Sequence, residues 1–458
     1  MIRILLTKYW VLAHLLVTAS TLCFNPTPSM SMALWSASSL LLMLLCLPPV
    51  FRGESLWLAR QRVQLALRGD AVLWMSVCVV LYVGVQILNA PRTLEYAVEL
   101  RRWVFSAPPL EHCPSTITAG DGVGFFTGLL GGLAMAIAVR CALPRKQRLA
   151  ALIGVCALTG LLAVGSAIVT LFQGEAPTFA WLGGAYDVGV LWLLTACVAL
   201  GIVGEAFLEC HKRTLMVAFA VACANLFGVF AFAPALIVCM GALVVVGWFA
   251  FSLVAVQATG RGLRFVWRNV LLLPPLFAMG LGLILVPGPE TLRPVLHLSQ
   301  WADALETFWA QWLFRAELAM DVLGAHPMLG AGPNGFEQSA HFYVKGKLYW
   351  SYWKSGGTGL PCDFLRLLTS CGLIGTLLLL LPGGAMLGRC MMRWAEYQQA
   401  NRRHYSLRYI VVLVGSLVGV VGTLIAALFG TPLHSPATLG VFLLVCSCMG
   451  GWMPRPRS

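Results

Sequence analysis

Apolar runs of about 20 residues recur along almost the whole chain, and each is long enough as a helix to cross a ~30 Å hydrocarbon layer. Helices are the required form, because lipid offers no hydrogen-bond partner to backbone N–H and C=O groups. With 59% hydrophobic and only 11% charged residues, the sequence predicts an all-α polytopic membrane protein.

About twelve transmembrane helices are expected, separated by mostly short loops. The one long polar interval lies between the ninth and tenth helices and predicts a single large loop on the outer side of the membrane. We therefore divide the chain into nine helices (1–287), a loop domain (288–364) and three helices (365–458). The predicted spans are near 9–24, 31–51, 71–90, 121–139, 149–172, 186–207, 214–231, 235–258, 269–287, 365–387, 409–429 and 437–453.

The charges follow the same alternation of loops. An even number of spans puts both termini on one side, and that side holds most of the 31 Lys and Arg residues, whereas most of the 18 Asp and Glu residues fall on the other. The positive-inside rule then predicts cytoplasmic N- and C-termini. The net charge of +13 is explained by this anchoring, and since no nucleic-acid motif accompanies it, no nucleic-acid partner is expected.

The predicted spans carry almost no charge in their interiors. The acids nearest to them, Asp121, Asp187, Glu205 and Asp363, all fall at predicted ends. Ion-coupled transporters usually keep ionisable groups at mid-membrane depth, so the pattern disfavours that class. Cys113 and Cys362 lie in outer segments where an oxidising compartment would permit a disulfide, but spacing alone leaves that bridge open.

Two segments outside the spans have helical periodicity. Residues 95–105 and 299–323 place apolar and aromatic side chains at i, i+3 and i+4 spacing, which predicts helices on the outer membrane surface. The second segment leads into the polar stretch 315–375, where any recognition or chemistry is expected.

Three elements stand in order within 315–375: Arg315, the turn Pro327-x-x-Gly330-x-Gly332, and a helix entry from Asp363 and Arg366 into Gly372-Leu-Ile-Gly375. This order and spacing resembles the signature region of the O-antigen ligase and polymerase family. The resemblance implies a bacterial inner-membrane glycosyltransferase that moves glycan from an undecaprenyl-pyrophosphate carrier at the periplasmic face, without a metal or other cofactor. It also implies the polyprenyl-linked glycan, membrane lipid and other envelope polysaccharide assembly proteins as partners.

The resemblance also assigns expected roles. Arg315 would bind the carrier pyrophosphate, since a guanidinium makes bidentate bonds to phosphate oxygens; solvation by Glu317 and Asp321 is the alternative explanation for its neighbourhood. Gly330 and Gly332 would form a tight turn that lets a backbone or ligand approach closely.

The chain departs from the family at other positions. Pro361 and Cys362 stand where the family has His-Asn, Ser370 stands for its Glu, and 230–235 lacks the second phosphate-binding arginine. If the chemistry is relocated, the base would be supplied by a histidine elsewhere and the cation by a lysine or by Arg366. The candidates are His326, His341 and His434 for the base, and Lys345, Lys347, Lys354 and Arg366 for the cation.

Asp363 is retained beside the missing histidine. As a catalytic residue it would orient a sugar hydroxyl; alternatively, it would cap a helix that begins at Phe364. If the chemistry is lost instead, the protein would be a non-catalytic homologue that binds glycan or assembly partners. A lipid-linked glycan exporter is the third alternative.

Overall fold

Ten α-helices of 14 residues or more and one short β-hairpin form the part of the chain that the computed structural model describes. The described residues are 71–90, 119–142, 145–173, 184–208, 211–258, 298–333, 359–399 and 409–449, with short pieces at 36–37, 39–40, 94–97, 102–105, 108–110, 112–117, 179, 335–337 and 340.

In chain order the helices are α1 (Ala71–Leu88), α2 (Ala119–Ala142), α3 (Arg145–Gln173), α4 (Ala185–Leu208), α5 (Lys212–Phe232), α6 (Ala235–Ala258), α7 (Leu298–Ala325), α8 (Asp363–Gln399), α9 (Ile410–Ala426) and α10 (Pro436–Met449). The strands β1 (Leu94–Ala97) and β2 (Arg102–Phe105) follow α1, and a 3₁₀ turn, Pro432–His434, joins α9 to α10.

The helices have membrane character. Among the described residues, four helical segments are long and apolar enough to cross a membrane: Arg148–Gln173, Ala185–Phe207, Lys212–Phe232 and Asp363–Met386. Shorter apolar segments occur in α1, α2, α6, α9 and α10. Nine predicted spans coincide with α1–α6 and α8–α10, whereas those at 9–24 and 269–287, and most of 31–51, lie outside the described residues.

Helix α4 is the centre of the bundle, and it packs against α3, α5, α6, α9 and α10. Its contact with α9 depends on small residues: a Cβ on Gly415 would lie 2.6 Å from the Cys197 carbonyl oxygen, and one on Gly201 would lie 2.9 Å from that of Val411. Close backbone approach of this kind is typical of helix pairs in membranes.

Polar side chains inside the bundle are hydrogen-bonded to neighbouring helices. The Asn225 side-chain amide donates to the carbonyl oxygens of Cys156 and Val221, both at 2.8 Å, and its oxygen accepts from the Thr195 hydroxyl at 2.9 Å. The nitrogen and the oxygen of this buried amide are thus both hydrogen-bonded within the protein, and the network links α3, α4 and α5.

At the end of the bundle where α4 ends and α9 begins, a buried acid has a capping role. The Tyr409 backbone N–H donates to Glu205 Oε1 at 2.6 Å, which satisfies one of the N–H groups that a helix start leaves without an intrahelical partner.

A second, smaller core lies where α7 meets the start of α8. Leu318, Ala319 and Val322 of α7 pack there with Cys362 and Leu365. Helix α7 is continuous over 28 residues, as the periodicity of 299–323 predicts.

The helix predicted over 95–105 is wrong, because these residues contribute to a hairpin in which β1 pairs with antiparallel β2, with Leu94 opposite Phe105. Asn89 explains the difference. Its side chain donates to the Leu110 carbonyl and accepts from the Leu110 N–H, both at 2.8 Å. This reciprocal bond draws the two ends of the segment together, which favours a hairpin over a helix extended along the membrane surface.

Candidate functional site

Asp363 connects the start of α8 to the segment between α9 and α10. The Asp363 backbone N–H donates to the carbonyl oxygens of Ala427 and Gly430, both at 3.0 Å, and its Oδ2 accepts the Leu433 N–H at 2.8 Å. We call residues 427–435 the α9–α10 turn. Asp363 is only 6% exposed, so its carboxylate forms part of a buried junction between three helix ends.

Cys362, and not Asp363, occupies the capping position of α8. The helix begins at Asp363, and the Cys362 sulfur is placed to accept hydrogen bonds from the backbone N–H groups of Phe364 and Leu365. The alternative prediction, that Asp363 caps a helix beginning at Phe364, is therefore wrong, because the Asp363 side chain reaches across to Leu433. Burial raises the pKa of the Cys362 thiol. Cys113 and Cys362 are both free, so no disulfide joins them.

The start of α4 contacts the helix ends on both sides of this turn. The Tyr186 hydroxyl donates to the Ala426 carbonyl oxygen at 2.7 Å, and the Thr438 hydroxyl donates to the Asp187 carbonyl oxygen at 3.2 Å. Asp187 is 6% exposed, and its charge interacts with that of Asp363. Two buried acids from different helices thus lie in the region where α9 and α10 join.

Arg366, one helical turn after Asp363, is the cation of this site. Its Nη2 lies 3.4 Å from Glu337 Oε1, with 17% of the arginine and 37% of the glutamate side chain exposed. Its charge also interacts with Asp363 and with His434 in the α9–α10 turn. We refer to Asp187, Glu337, Asp363, Arg366 and His434 as the Asp363 cluster.

His434 is the histidine that the structure brings to the cluster. Desolvation, and secondarily the positive charge of Arg366, lowers the pKa of His434 to about 4, although the residue is exposed. The imidazole is therefore neutral at neutral pH and offers one donor and one acceptor nitrogen.

Arg315 lies on the face of α7 that turns toward α8. It precedes Leu318, Ala319 and Val322 at helical spacing, and these three residues pack against the start of α8. Further toward the start of α7, the Trp309 ring meets Phe429 edge-on, with centroids 6.4 Å apart. Contacts to α8 and to the α9–α10 turn thus bracket Arg315 along α7, and the residue is partly exposed.

Gly330 and Gly332 allow the backbone of their loop to pack directly against the backbone of α8. The segment 327–332 docks where α8 is interrupted at Gly372, which has φ of 63°. The Ala331 N–H donates to the backbone carbonyl oxygen of Thr369 at 2.7 Å, and the Gly332 N–H donates to that of Ser370 at 2.9 Å. Gly330 and Gly332 themselves have φ of 74° and 86°, and a Cβ on Gly330 would collide with the Gly372 backbone. The predicted close approach is present, and the partner is α8.

Helix α1 satisfies the carbonyl groups exposed by this break. The Gln86 side-chain amide donates to the carbonyl oxygens of Leu329 at 3.1 Å and Ser370 at 3.0 Å. The Tyr82 hydroxyl donates to Leu329 at 3.0 Å and Cys371 at 2.8 Å. Ser370 is thus part of this junction through its backbone carbonyl.

The structure does not bring His326 to the Asp363 cluster. The loop that it begins lies beside Leu373, which donates its N–H to the Pro327 carbonyl at 3.0 Å. The contact between Pro327 and Leu373 lies about 12 Å along α8 from the cluster, because the helical residues from Asp363 to Cys371 stand between them. His326 also follows the end of α7, about 16 Å along the helix from Arg315.

The remaining predicted site residues, His341, Lys345 and Lys347, lie outside the described residues, as does Lys354. Within the described part of the chain, no group of three His, Cys, Asp or Glu side chains is placed to hold a metal ion.

Sequence reasoning gave no role to Asp187 or Glu337. The available signal for Asp187 was its place at a predicted span end on the same side as Asp363. Which span ends are neighbours is a question of tertiary packing, and sequence spacing does not answer it.

The helices and the buried polar cluster at one end of their bundle define a helical membrane protein. Compared with known proteins, the chain matches no family model and no curated protein.

Proposed function

We propose that the protein handles a polyprenyl-pyrophosphate-linked glycan at the Asp363 cluster and transfers or polymerises it at the periplasmic face of a bacterial inner membrane. One observation carries the proposal: Arg366 interacts with both Asp363 and His434, so a cation and two proton acceptors share one membrane-bundle end. Arg315 stands on the face of α7 that packs toward α8. The resemblance of residues 315–375 to the O-antigen ligase and polymerase family supplies the substrate class.

The proposed reaction is a single displacement at the anomeric carbon. The acceptor hydroxyl gives its proton to Asp363 while its oxygen bonds to the anomeric carbon, and the bond from that carbon to the pyrophosphate oxygen breaks. Arg366 and Arg315 stabilise the negative charge on the departing pyrophosphate. Neutral His434 orients the acceptor hydroxyl.

A non-catalytic homologue is the second candidate, and the charge of the cluster favours it. Asp187, Glu337 and Asp363 outnumber the single guanidinium of Arg366, and Glu337 already pairs with that guanidinium. An acid-rich site accepts hydrogen bonds from sugar hydroxyls but repels pyrophosphate. Such a protein would bind the glycan or an assembly partner without transferring the glycan.

Complementation in the native organism tests the catalytic proposal. Cells lacking the gene would carry the wild-type chain, Arg315→Ala, Arg366→Ala or the control Asp321→Asn, which changes an exposed acid on α7. With equal membrane levels, we expect both arginine variants to lose glycan transfer and the control to retain it. Unchanged surface glycan with Arg315→Ala and Arg366→Ala would overturn the catalytic proposal.

The presence of an active homologue distinguishes the two candidates. A non-catalytic partner changes glycan amount or length only when an active enzyme is present in the same cell. A transfer defect in a strain that has no such homologue therefore favours catalysis by this chain.

A further inference from the structure

The exposed side of α7 is divided lengthwise into an apolar half and an acidic half. We call the first the apolar stripe; it consists of Trp309, Leu313 and Met320, which are 39%, 59% and 54% exposed. We call the second the acidic stripe; it consists of the exposed residues Glu306, Glu317 and Asp321. At about 100° of rotation per residue, the apolar stripe covers a sector of about 40° and the acidic stripe covers the next ~60°. The two stripes are therefore neighbours, and both run along the helix axis.

The other sides of α7 are covered by protein. The residues of α7 that are buried in the smaller core, or that pack against it, are Trp312, Phe314, Ala316, Leu318, Ala319 and Val322. The apolar stripe adjoins this covered sector on the side of Trp312 and Ala316. It is thus the part of the apolar surface of α7 that the described part of the chain leaves uncovered.

The direction of the boundary between the stripes indicates how α7 lies. A helix surrounded by water would leave the apolar stripe in contact with water, whereas a helix surrounded by lipid would bring three acids into hydrocarbon. A boundary that runs along the helix satisfies both stripes when the axis lies along a membrane surface. The apolar stripe then faces the acyl chains and the acidic stripe faces water.

Helix α9 supplies the neighbouring lipid-facing surface. Its buried residues, which include Val412 and Gly419, belong to the side that packs against α4. The exposed apolar residues recur at spacings of three and four along the other side, and the series continues just past the helix end: Val414, Val418, Val421, Ile425 and Leu428. Since α9 is one of the apolar helices of a membrane protein, this is the side that acyl chains cover.

An aromatic contact joins the two surfaces. Phe429 directly follows Leu428, and its ring meets Trp309 edge-on with the ring centroids 6.4 Å apart. Trp309 in turn meets Trp312 at 5.7 Å. Tryptophan side chains are enriched where a membrane meets water, because the ring is apolar and its N–H is polar. The apolar stripe therefore continues the lipid-facing side of α9 at the end of that helix.

We propose that the apolar stripe is a lipid-docking surface, which places α7 lengthwise in the interfacial layer of the bilayer leaflet around the α9–α10 turn. The surface fits the acyl-chain boundary of that leaflet. Helix α7 contains no lysine, and Arg315 is its one basic residue, whereas the acidic stripe lies beside the docking surface. The attachment therefore depends on apolar contact and not on anionic lipid.

The docking surface also determines the depth of Arg315 in the membrane. Arg315 follows Leu313 by two residues, which is about 3 Å along the helix axis. Lipid phosphate groups lie in the same interfacial layer. This consequence rests on the proposed function, in which Arg315 meets the pyrophosphate of a lipid carrier. The lipid docking itself does not.

Thiol accessibility tests the docking surface on the full-length chain. Leu313→Cys and Met320→Cys each place a thiol on the apolar stripe, whereas Glu317→Cys and Asp321→Cys are matched controls on the acidic stripe of the same helix. In phosphatidylcholine nanodiscs that hold one copy each, a water-soluble maleimide should label the controls several-fold faster. The unsubstituted chain gives the background from the native cysteines, and labelling after denaturation gives the total.

Two results of this experiment would overturn the proposal. Equal labelling rates for the two stripes would show that the apolar stripe faces water. Protection that is present in native membranes and lost in the nanodiscs would show that a second copy or another protein covers the stripe. Each stripe has two variants, so a single variant that does not fold leaves the comparison intact.

Brominated lipid tests contact with the acyl chains directly. In nanodiscs made with phosphatidylcholine that is brominated on its acyl chains, Trp309→Phe removes a ring that lies against lipid, so the quenched fraction of tryptophan fluorescence should fall. Trp192→Phe removes a fully buried ring and should not lower that fraction. An equal change in both variants would contradict lipid contact at Trp309. Neither readout involves glycan transfer, so a failure of the docking surface and a failure of the proposed function are distinguishable.

Discussion

The carboxylate of Asp363 and the backbone of Leu433 form a 2.8 Å hydrogen bond that connects residues 70 positions apart. The same aspartate donates its own N–H back to the α9–α10 turn. Asp363 therefore has two separable roles, since its oxygen is needed for the turn and its acidity for the proposed proton transfer.

The two roles of Asp363 are separated by comparing Asp363→Asn with Asp363→Ala. Asparagine keeps an oxygen that accepts the Leu433 N–H, whereas alanine leaves that N–H without its partner. We expect Asp363→Ala to lower the free energy of unfolding by about 1–3 kcal/mol and Asp363→Asn to lower it much less. Unfolding of the purified protein in detergent measures this difference.

Transfer activity gives the second half of the test. Under the proposed mechanism both Asp363 variants lose activity, because neither side chain accepts a proton at neutral pH. A fully active Asp363→Asn protein would show that the residue holds the turn and has no part in proton transfer.

The junction between the loop 327–332 and α8 predicts a strong effect of a single methyl group. Gly330→Ala forces a side chain into the Gly372 backbone at a positive φ, and we expect a loss of about 2–5 kcal/mol from strain and overpacking. Gly384→Ala in α8 is the matched control, because a Cβ there meets nothing within 4 Å. Thermal unfolding and the yield of monodisperse protein measure both.

A Gly330→Ala protein as stable as Gly384→Ala would contradict the observed docking. It would instead support the alternative explanation for Gly330, in which the absence of a side chain makes room for a ligand.

The positions of the helices follow from local sequence. The span predicted at 235–258 coincides with α6, and that at 71–90 with α1, which ends at Leu88. This agreement arises because the length of an apolar run is a local property. The hairpin at Leu94–Phe105 was missed because its pairing depends on Asn89 and Leu110, which close the segment from outside.

The site was predictable only in part, for a related reason. Asp363 and Arg366 stand three positions apart, so their proximity on one helix was expected. Asp187 and His434 reach them from α4 and the α9–α10 turn, and no periodicity indicates which helix ends meet. The break at Gly372, which separates His326 from Asp363, depends equally on a docking partner far along the chain.

His434 predicts a pH dependence of stability. Its pKa of about 4 in the folded protein lies below the usual value near 6.5 for an unfolded chain. Between these values the unfolded chain binds more protons, so the contribution of His434 is fully present above about pH 6.5 and is lost as the pH falls toward 4.

We therefore expect wild-type stability to fall more steeply than that of His434→Gln over this pH range, because glutamine does not titrate. Denaturation midpoints measured at several pH values in one detergent give the two slopes. His112→Gln, which changes a histidine of the loop after the hairpin, should leave the wild-type slope unchanged. Parallel curves for wild type and His434→Gln would contradict the assignment.

The ion pair between Glu337 and Arg366 predicts how strongly Arg366 binds an anion. Its ion pair with Arg366 is partly exposed, so Glu337→Gln should change the free energy of unfolding by at most about 1 kcal/mol. The same change removes a negative charge from beside the guanidinium. If Arg366 binds pyrophosphate, Glu337→Gln should bind a soluble analogue such as farnesyl pyrophosphate several-fold more tightly than the wild-type protein.

Calorimetric titration at low and high salt measures this gain, which should shrink as salt screens the charges. Glu306→Gln, which changes an exposed acid nearer the start of α7, removes the same charge away from both proposed arginines and is expected to cause a smaller change. A Glu337→Gln protein that binds the analogue no better than Glu306→Gln would exclude Arg366 as a pyrophosphate ligand. Arg315 would then be the remaining cation for the carrier among the described candidates, and the acid-rich Asp363 cluster would fit sugar hydroxyls better than phosphate.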